Sequence, residues 1–430
     1  MRVAYFTPIT PQKTGIADYS EKEVLPYLKS YIDIDLFIDK NIQPTNPSTR
    51  DNFNIYSYFE YKQRKNEYDA IIYNMGNNQY HKFIYDSILN EQGITILHDI
   101  YLHGFLWSWT KNRGDERRYI EEYKYCYGEL GVEIAKKSIN SGTYPEFEFP
   151  LIKRIIDNSL GVVCHSYYGI QKVLNEMDSA VISKINHPFT ISNLTTNHQY
   201  SDIQTIKNGY GLIKNQPIIT SFGFISSHKR YHIVLRAFKR FLQIYPDAVL
   251  LLVGQDLMGI DRLISSLYLR DSVIKTGYAA QKEIFNYLAI SDFCINLRYP
   301  TAGETSGSVL QLMAAEKPVI VSNVGWFSEI PNNCCLKVDV DSYEEDILLQ
   351  YMKLLASDEV IRKMIGKNAK EYVMKEHDPQ KIAKELYIFI KNVLECKELI
   401  INKVSKELSD IGVTEDDYEL IEFILRNNIL

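Results

Sequence analysis

The chain has 430 residues, of which 45% are hydrophobic, and its formal net charge is −6. This length and apolar content favour two or three domains with sizeable cores, and the negative charge excludes the basic footprint of a nucleic-acid-binding protein. The six cysteines lack Cys-x-x-Cys spacing, which is typical of reduced thiols in a cytoplasm. The opening MRVAYFTPIT is not expected to be a secretory signal, and we find no run of about 18 uncharged apolar residues.

Short apolar runs separated by longer polar or amphipathic segments occupy the first half of the chain. They cover residues 2–9, 32–39, 68–76, 93–99 and 159–166. Such runs, alternating with helical segments, are typical of buried parallel strands in βαβ units. The pattern predicts a doubly wound, Rossmann-like domain over residues 1–195.

One tyrosine-rich segment of this half, RRYIEEYKYCYGELG at 117–131, has the pattern of an amphipathic helix. We interpret it as a helix with one face in the core and one on the surface. Contact with an acceptor or a membrane is the alternative. The aromatic run around His103 favours packing over a role in binding.

A second series of apolar runs follows the polar segment 190–215, which predicts a domain boundary there. These runs cover residues 216–224, 247–254, 272–277, 292–298 and 317–323, with an amphipathic helix at 232–245. They predict a second Rossmann-like domain over residues 216–377. Residues 378–430 are expected to form a crossover helix at 378–395 and a helical tail, with a break at Gly412 and an N-cap at Thr414.

Parallel sheets bind ligands outside the carboxyl ends of their strands, so the loops after each strand are the candidate sites. In the first half these loops contain Gly15, His98 with Asp99, and His165. In the second half they contain GFISSHKR at 223–230 and RYPTAGETSGS at 298–308. Ordinary polar βα loops are the alternative interpretation of each cluster.

The stretch RYPTAGETSGSVLQLMAAEKPVIV predicts a helix whose first turn lies near Thr305 to Ser308. Hydroxyl groups there can cap free backbone N–H groups, and Gly307 allows another molecule to approach the backbone. The start of a helix also stabilises an anion, for which phosphate is the natural candidate. A loop that only caps a helix is the alternative.

The second half resembles the nucleotide-binding domain of the retaining GT-B glycosyltransferases, the large family that includes sucrose synthase and bacterial polysaccharide mannosyl- and glucosyltransferases. The resemblance is carried by SFGFISSHKRYHIVLRAF, LLVG, TGYAAQKEIFNYLAISD and LRYPTAGETSGSVLQLMAAEKPVIVSNVGWFSEIP. It covers about residues 1–395 and is most specific at 292–331. It implies an α/β GT-B fold, in which two Rossmann-like domains face each other across a cleft and a helical extension follows. The N-terminal domain would hold the acceptor and the C-terminal domain the nucleotide sugar.

Family members usually carry an Arg and, five residues later, a Lys that reach the donor diphosphate. The Lys position falls on Lys229, but the Arg position falls on Phe224. The resemblance then implies neutralisation by Lys229, with Arg230 and Arg298 as further candidates.

A second family signature is a Glu, seven residues and another Glu, which contact the donor sugar and the ribose. The second Glu falls on Gln311 and the first on Gly303, next to Glu304. The family also places a His near the donor sugar, which implies this role for His98, with Asp99 as an orienting group. The implied catalytic residues are His98 and Glu304, and the implied donor-binding residues are Gly15, Gly223, Lys229, Arg230, Arg298, Thr305, Ser306, Gly307, Ser308 and Gln311.

The resemblance therefore implies a transferase that moves a sugar, with retention of anomeric configuration, from a UDP-, GDP- or ADP-sugar to a glycan or lipid-linked acceptor. Bacterial surface polysaccharide or glycoconjugate synthesis in the cytoplasm, or at the inner face of the membrane, is the expected setting. No metal site, obligatory cofactor or nucleic-acid partner is expected. A nucleotide-sugar 2-epimerase is one alternative, and a non-catalytic GT-B partner subunit is another, favoured by Phe224 and Gln311.

Overall fold

The computed structural model describes residues 1–111, 114–190, 203–212, 216–279 and 281–410. The chain forms two compact units, the first made of Met1–Ile185 and the segment that begins at Pro379, the second of Asn186–Asp378. Each unit contains a parallel sheet with apolar clusters on both faces. The acceptor and donor roles expected of the two predicted domains stay predictions.

The sheet of the first unit has, within the described residues, seven parallel strands in the order β3-β2-β1-β4-β5-β6-β7. Alternate residues of its central strand point to opposite faces, so Val3 and Tyr5 join one core while Ala4 and Phe6 join the other. The strands are β1 (Arg2–Phe6), β2 (Asp33–Ile38), β3 (Asn54–Ser57), β4 (Ala70–Met75), β5 (Gly93–Leu97), β6 (Ser159–Cys164) and β7 (Ile182–Lys184).

Helices cover both faces of this sheet. The tyrosine-rich segment forms part of a long helix, as its pattern predicts, and Tyr119 and Tyr123 are buried in the core. The helices are α1 (Gly15–Asp18), α2 (Leu25–Leu28), α3 (Pro47–Asn52), α4 (Tyr61–Arg64), α5 (Lys82–Asn90), α6 (His103–Trp109), α7 (Glu116–Ser141), α8 (Lys153–Asp157) and α9 (Tyr167–Glu176). A π-helix at Tyr19–Val24 and 3₁₀ turns at Tyr58–Glu60, Lys65–Glu67 and Gln79–His81 complete this part.

The sheet of the second unit has six parallel strands among the described residues, in the order β10-β9-β8-β11-β12-β13. They are β8 (Ile218–Phe222), β9 (Val249–Val253), β10 (Val273–Gly277), β11 (Phe293–Asn296), β12 (Val319–Ser322) and β13 (Leu336–Val338). The helices are α10 (Ile203–Gly209), α11 (Tyr231–Phe241), α12 (Asp261–Ser266), α13 (Gln281–Ile290), α14 (Gly307–Ala314), α15 (Gly325–Glu329), α16 (Glu344–Ser357) and α17 (Glu359–Glu376), with a 3₁₀ turn at Ser227–Lys229.

The helix predicted at 378–395 is present and longer than predicted, as α18 (Pro379–Asp410). It belongs to the first unit, where Ile382, Leu386 and Ile390 are buried in the same cluster as Val3 and Tyr5. The predicted break at Gly412 and N-cap at Thr414 lie outside the described residues, as does most of the predicted linker 190–215.

The ten predicted strands are all present, but three short strands were not predicted. β3, β7 and β13 read NIYS, ISK and LKV, which are too short and too polar to give an apolar run.

In the described ranges, none of the helices combines the length and apolar composition that crossing a membrane requires. All six cysteines are free thiols.

Candidate functional site

The order of strands in the second sheet reverses between β8 and β11, which are neighbours. Such a switch point, outside the carboxyl ends of the strands, is where open α/β sheets bind ligands. The loop after β8 leads through Gly223 to Lys229, and the loop after β11 leads through Arg298 to α14. The two loops singled out by the sequence therefore start at adjacent strand ends.

Gly223 and Gly254 allow the ends of β8 and β9 to approach each other closely. Gly223 has a φ of 94°, and a Cβ at this position would lie 2.5 Å from Nζ of Lys229. A Cβ on Gly254 would lie 2.2 Å from the carbonyl oxygen of Gly223. A side chain at Gly223 would displace the ammonium group, so this glycine is needed for the position of Lys229.

Lys229 is buried, with 5% of its surface exposed, and its Nζ donates a hydrogen bond of 2.6 Å to the carbonyl oxygen of Phe222. Burial and, secondly, the positive charge of Arg298 lower the pKa of Lys229 to about 7, while Glu304 opposes the shift. Since a charged ammonium is costly in a buried site without a counter-ion, an anion bound here would favour the protonated form.

Arg298 and Glu304 form an ion pair through Nη1 and Oε1, and both side chains are mostly buried. The other carboxylate oxygen of Glu304 accepts a hydrogen bond of 3.0 Å from Oγ1 of Thr301. The guanidinium of Arg298 lies 5.6 Å from the ring centroid of Phe327. Its Nε is buried and has no hydrogen-bond partner among the described residues.

His228 lies in the same cluster. Burial, followed by the charge of Arg298, lowers the pKa of His228 to about 4, and Glu304 opposes this shift as well. The imidazole is therefore neutral near pH 7. Glu304 thus interacts electrostatically with each of the three basic side chains, and Lys229 and Arg298 are the two that can be positively charged at neutral pH.

The helix α14 begins slightly later than predicted. Its N-cap is Ser306, whose Oγ accepts a hydrogen bond of 3.4 Å from the backbone N–H of Val309 and lies 3.0 Å from Oγ of Ser308. Thr305 precedes the cap, and its buried Oγ1 has no hydrogen-bond partner in the described part of the chain. Gly307 is the first helical residue and is exposed. The backbone N–H groups at this helix start are positioned to bind an anion.

Asn296 was not predicted as a site residue, although it is 1% exposed at the end of β11. Its Nδ2 lies 3.4 Å from both the carbonyl oxygen of Phe222 and Oγ of Ser308. It therefore links the strand end that holds Lys229 to the first turn of α14. In the sequence, the feature that could have indicated this role is the position of Asn296, a polar amide that ends the strand FCIN two residues before Arg298.

Arg230 does not share the surroundings of Arg298 and Lys229. Its Nε donates a hydrogen bond of 2.6 Å to Oε1 of Glu344, and its Nη2 pairs with the other carboxylate oxygen. The Glu344 side chain is 1% exposed and that of Arg230 is 17% exposed, so this bidentate pair is mostly buried. The pair connects the start of α11 to the start of α16. The Arg230 guanidinium, which was predicted to bind the donor, is therefore hydrogen-bonded to Glu344.

Phe224 and Gln311, the two predicted departures from the family pattern, are both accessible in the structure. Phe224 is exposed, at 57%, in the loop after β8. Gln311 lies in the second turn of α14 and is half-buried. Neither side chain is therefore fully buried in the core.

The second predicted catalytic residue, His98, lies in the first unit at the carboxyl end of β5. Its Nε2 is 3.2 Å from Oδ1 of Asn74, and its Nδ1 is 3.2 Å from Nε2 of His165, which follows the neighbouring strand β6. The ring of Tyr19 packs edge-on against His98, with centroids 4.4 Å apart. Asp99, which was expected to orient the imidazole, accepts a hydrogen bond of 2.8 Å from the backbone N–H of Asn77.

Gly15 also follows a strand of the first unit and is the first residue of α1. The preceding Thr14 is the N-cap, and its hydroxyl accepts from the backbone N–H of Ile16. No heavy atom lies within 4 Å of a Cβ built on Gly15, so the surrounding protein atoms do not explain the glycine. Across the described residues, no group of three or more His, Cys, Asp or Glu side chains could hold a metal ion.

Comparison with known proteins gives a family match that lies within the second unit. Residues 202–372 match the family model described as Glycosyl transferases group 1. The Bacillus subtilis (strain 168) protein YtcC, whose name assigns it provisionally to the glycosyltransferases, is 25% identical over 183 residues. This alignment covers 40% of the chain and 44% of YtcC, so it spans less than half of that curated relative.

Solved structures resemble nearly the whole chain. A glycosyltransferase from Rickettsia africae is 17% identical, with a TM-score of 0.63, over 91% of this chain and 98% of its own. Sucrose-phosphate synthase from Thermosynechococcus elongatus is 15% identical, with a TM-score of 0.63, over 92% of this chain and 100% of its own. Anabaena HepE in complex with UDP is 17% identical, with a TM-score of 0.63, over 91% of this chain and 100% of its own.

At these identities the solved structures establish the fold, and the family match supports a transferase. The predicted fold class is confirmed: the chain has the GT-B fold, with two Rossmann-like parallel-sheet domains and a C-terminal helical extension, and residues 202–372 match the group 1 glycosyltransferases.

Proposed function

We propose that the protein is a glycosyltransferase that moves a sugar from a nucleotide sugar to a glycan or lipid-linked acceptor with retention of anomeric configuration. The observation that carries this proposal is the cluster of Lys229, Arg298 and Glu304 at the switch point of the unit that matches the family model. The donor diphosphate would bind Lys229, Arg298 and the start of α14. Its nucleotide is proposed to be UDP, since HepE was solved with UDP.

Cleavage of a glycosyl–phosphate bond develops negative charge on the leaving diphosphate. Cationic side chains and backbone N–H groups fixed at that position stabilise the transition state more than the ground state. Lys229 would give up its bond to the carbonyl of Phe222 for a bond to phosphate, and Arg298 would contribute a fork of donors. Glu304 would then contact hydroxyl groups of the donor sugar.

Retention requires no protein nucleophile in this proposal. The acceptor hydroxyl attacks the anomeric carbon on the face from which the diphosphate leaves, and its proton passes to a phosphate oxygen. His98 is proposed to contact the donor sugar near the bond that breaks, and His165 and Asn74 fix the orientation of its imidazole. The setting is proposed to be the cytoplasm or the inner face of a membrane, in synthesis of bacterial surface glycans.

One observation favours a different function, that of a non-catalytic partner subunit. Phe224 stands where family members carry a diphosphate-binding Arg, and the Arg230 guanidinium nearby pairs with Glu344. If Arg298 does not supply the missing charge, the site binds the donor diphosphate weakly. The protein would then keep the fold without the turnover.

The test is a panel of UDP-, GDP- and ADP-sugars, with nucleotide release measured with and without lipid-linked saccharide acceptors. Release that depends on acceptor supports the proposal, and nuclear magnetic resonance of the product gives its anomeric configuration. Glu304→Ala should lower turnover strongly while nucleoside diphosphate still binds. Glu316→Ala, two residues beyond the end of α14, serves as the control. No release with any donor would favour the partner subunit, and an isomerised sugar nucleotide would favour an epimerase.

A further inference from the structure

The carboxylate of Glu304 lies where three basic side chains converge. It pairs with Arg298, interacts favourably with Lys229 and His228, and is held at its second oxygen by Thr301. Within the described residues, this is the acidic group that offsets the charge of that cluster. The arrangement resembles an anion-binding site in which a carboxylate of the chain itself takes the place of a bound anion.

A diphosphate bound at the start of α14 needs the same donors. Arg298 already directs Nη1 to Glu304, while its Nε is buried without a partner among the described residues. Thr305 lies beside it in sequence with a buried hydroxyl that is likewise unpartnered there. The site therefore has unused donors as well as one donor that Glu304 occupies.

We propose that Glu304 is a resident anion that competes with the donor diphosphate for Arg298, and thereby sets the affinity of the site for nucleoside diphosphates. This inference rests on the proposed donor site. When the diphosphate takes Arg298, the Glu304 carboxylate is released and becomes available to the donor sugar. One residue thus weakens donor binding and supports turnover, two effects that substitution separates.

The test is calorimetric titration of UDP, GDP and ADP into the full chain and into Glu304→Gln, which keeps the side-chain shape and removes the charge. We expect the variant to bind the preferred nucleoside diphosphate about three- to tenfold more tightly, the range for release of a partly buried ion pair. Turnover with the nucleotide sugar should fall in the same variant. The titrations are run at pH 6, below the pKa of about 7 of Lys229 in the parent, which limits the contribution of its protonation to the difference between parent and variant.

Two controls distinguish competition for Arg298 from general repulsion. Glu316→Gln removes a surface carboxylate that pairs with Lys370, and it should leave the affinity unchanged. In an Arg298→Gln background, Glu304→Gln should give no gain, because the contested donor is gone. A cooperative melting transition well above the titration temperature establishes that each variant is folded.

Tighter binding by Glu304→Gln that disappears in the Arg298→Gln background supports the inference. Equal or weaker binding by Glu304→Gln overturns it, while leaving the proposed donor site intact. A gain that persists without Arg298 also overturns it, since the effect is then long-range repulsion. Failure of all three nucleotides to bind both the parent and Glu304→Gln would refute the donor site itself, and the competition with it.

Discussion

Binding of a nucleoside diphosphate should make the protein take up a proton at Lys229. The ammonium group is buried beside the positive charge of Arg298, and together these lower its pKa to about 7. A diphosphate beside the same group reverses both effects, because the anion stabilises the charged form. The pKa of Lys229 should therefore rise in the complex, toward the ordinary value for a lysine.

The size of the uptake follows from the two protonation states. With a pKa of about 7, Lys229 is only about one tenth protonated at pH 8, so binding should take up about 0.9 proton. The nucleotide adds little at this pH, because its terminal phosphate has a pKa of about 6 and is already ionised. His228, with its pKa lowered to about 4, is neutral throughout.

Titration calorimetry in two buffers of different ionisation enthalpy measures this proton count directly. By linkage, the association constant should also fall by nearly tenfold between pH 8 and about pH 9. Lys229→Arg is the matched control, since a guanidinium stays protonated and should bind without uptake. An uptake below about 0.3 proton in the parent, or the same uptake in Lys229→Arg, would refute the prediction that Lys229 takes up the proton.

Three further predictions concern stability and turnover. Glu344→Gln leaves the mostly buried Arg230 without its partner and should lower the free energy of unfolding by about 2–4 kcal/mol. Glu345→Gln, which removes a more exposed acid, should lower it by less than about 1 kcal/mol in the same denaturant titration. The unfolded chain binds a proton at Lys229 that the folded chain does not bind between pH about 7 and 10.5. Stability should therefore rise with pH across that window in the parent and less so in Lys229→Met. His98→Ala should lower turnover by about 100-fold and leave nucleoside diphosphate affinity within about twofold, and equal losses in both would contradict its predicted role.

The buried strands could be predicted from the sequence because each central strand is covered on both faces. Val3 to Phe6 and Val249 to Val253 give uninterrupted apolar runs for this reason. The edge strands β3, β7 and β13 give no such signal, since pairing on one side tolerates polar side chains. Alternation of strands and helices then predicts the doubly wound units.

Only those site residues that follow a strand end or belong to a sequence motif could be predicted. Lys229 and Glu304 follow strand ends, and the structure brings them together with Arg298. The pairing of Arg230 with Glu344 joins residues 114 positions apart, and no local pattern indicates it. Asn296 was missed because its role depends on contacts with a neighbouring strand and with α14.

The return of α18 to the first unit has a consequence for synthesis on the ribosome. Ile382, Leu386 and Ile390 complete a core whose other members include Val3 and Tyr5, at the opposite end of the chain. The second unit, which ends at Asp378, is synthesised before α18, so one apolar face of the N-terminal sheet is until then covered only in part, by residues such as Leu25 and Leu28. A nascent chain is therefore exposed to chaperones and proteases through the apolar patch that α18 later covers, and premature termination before Pro379 would leave that patch exposed.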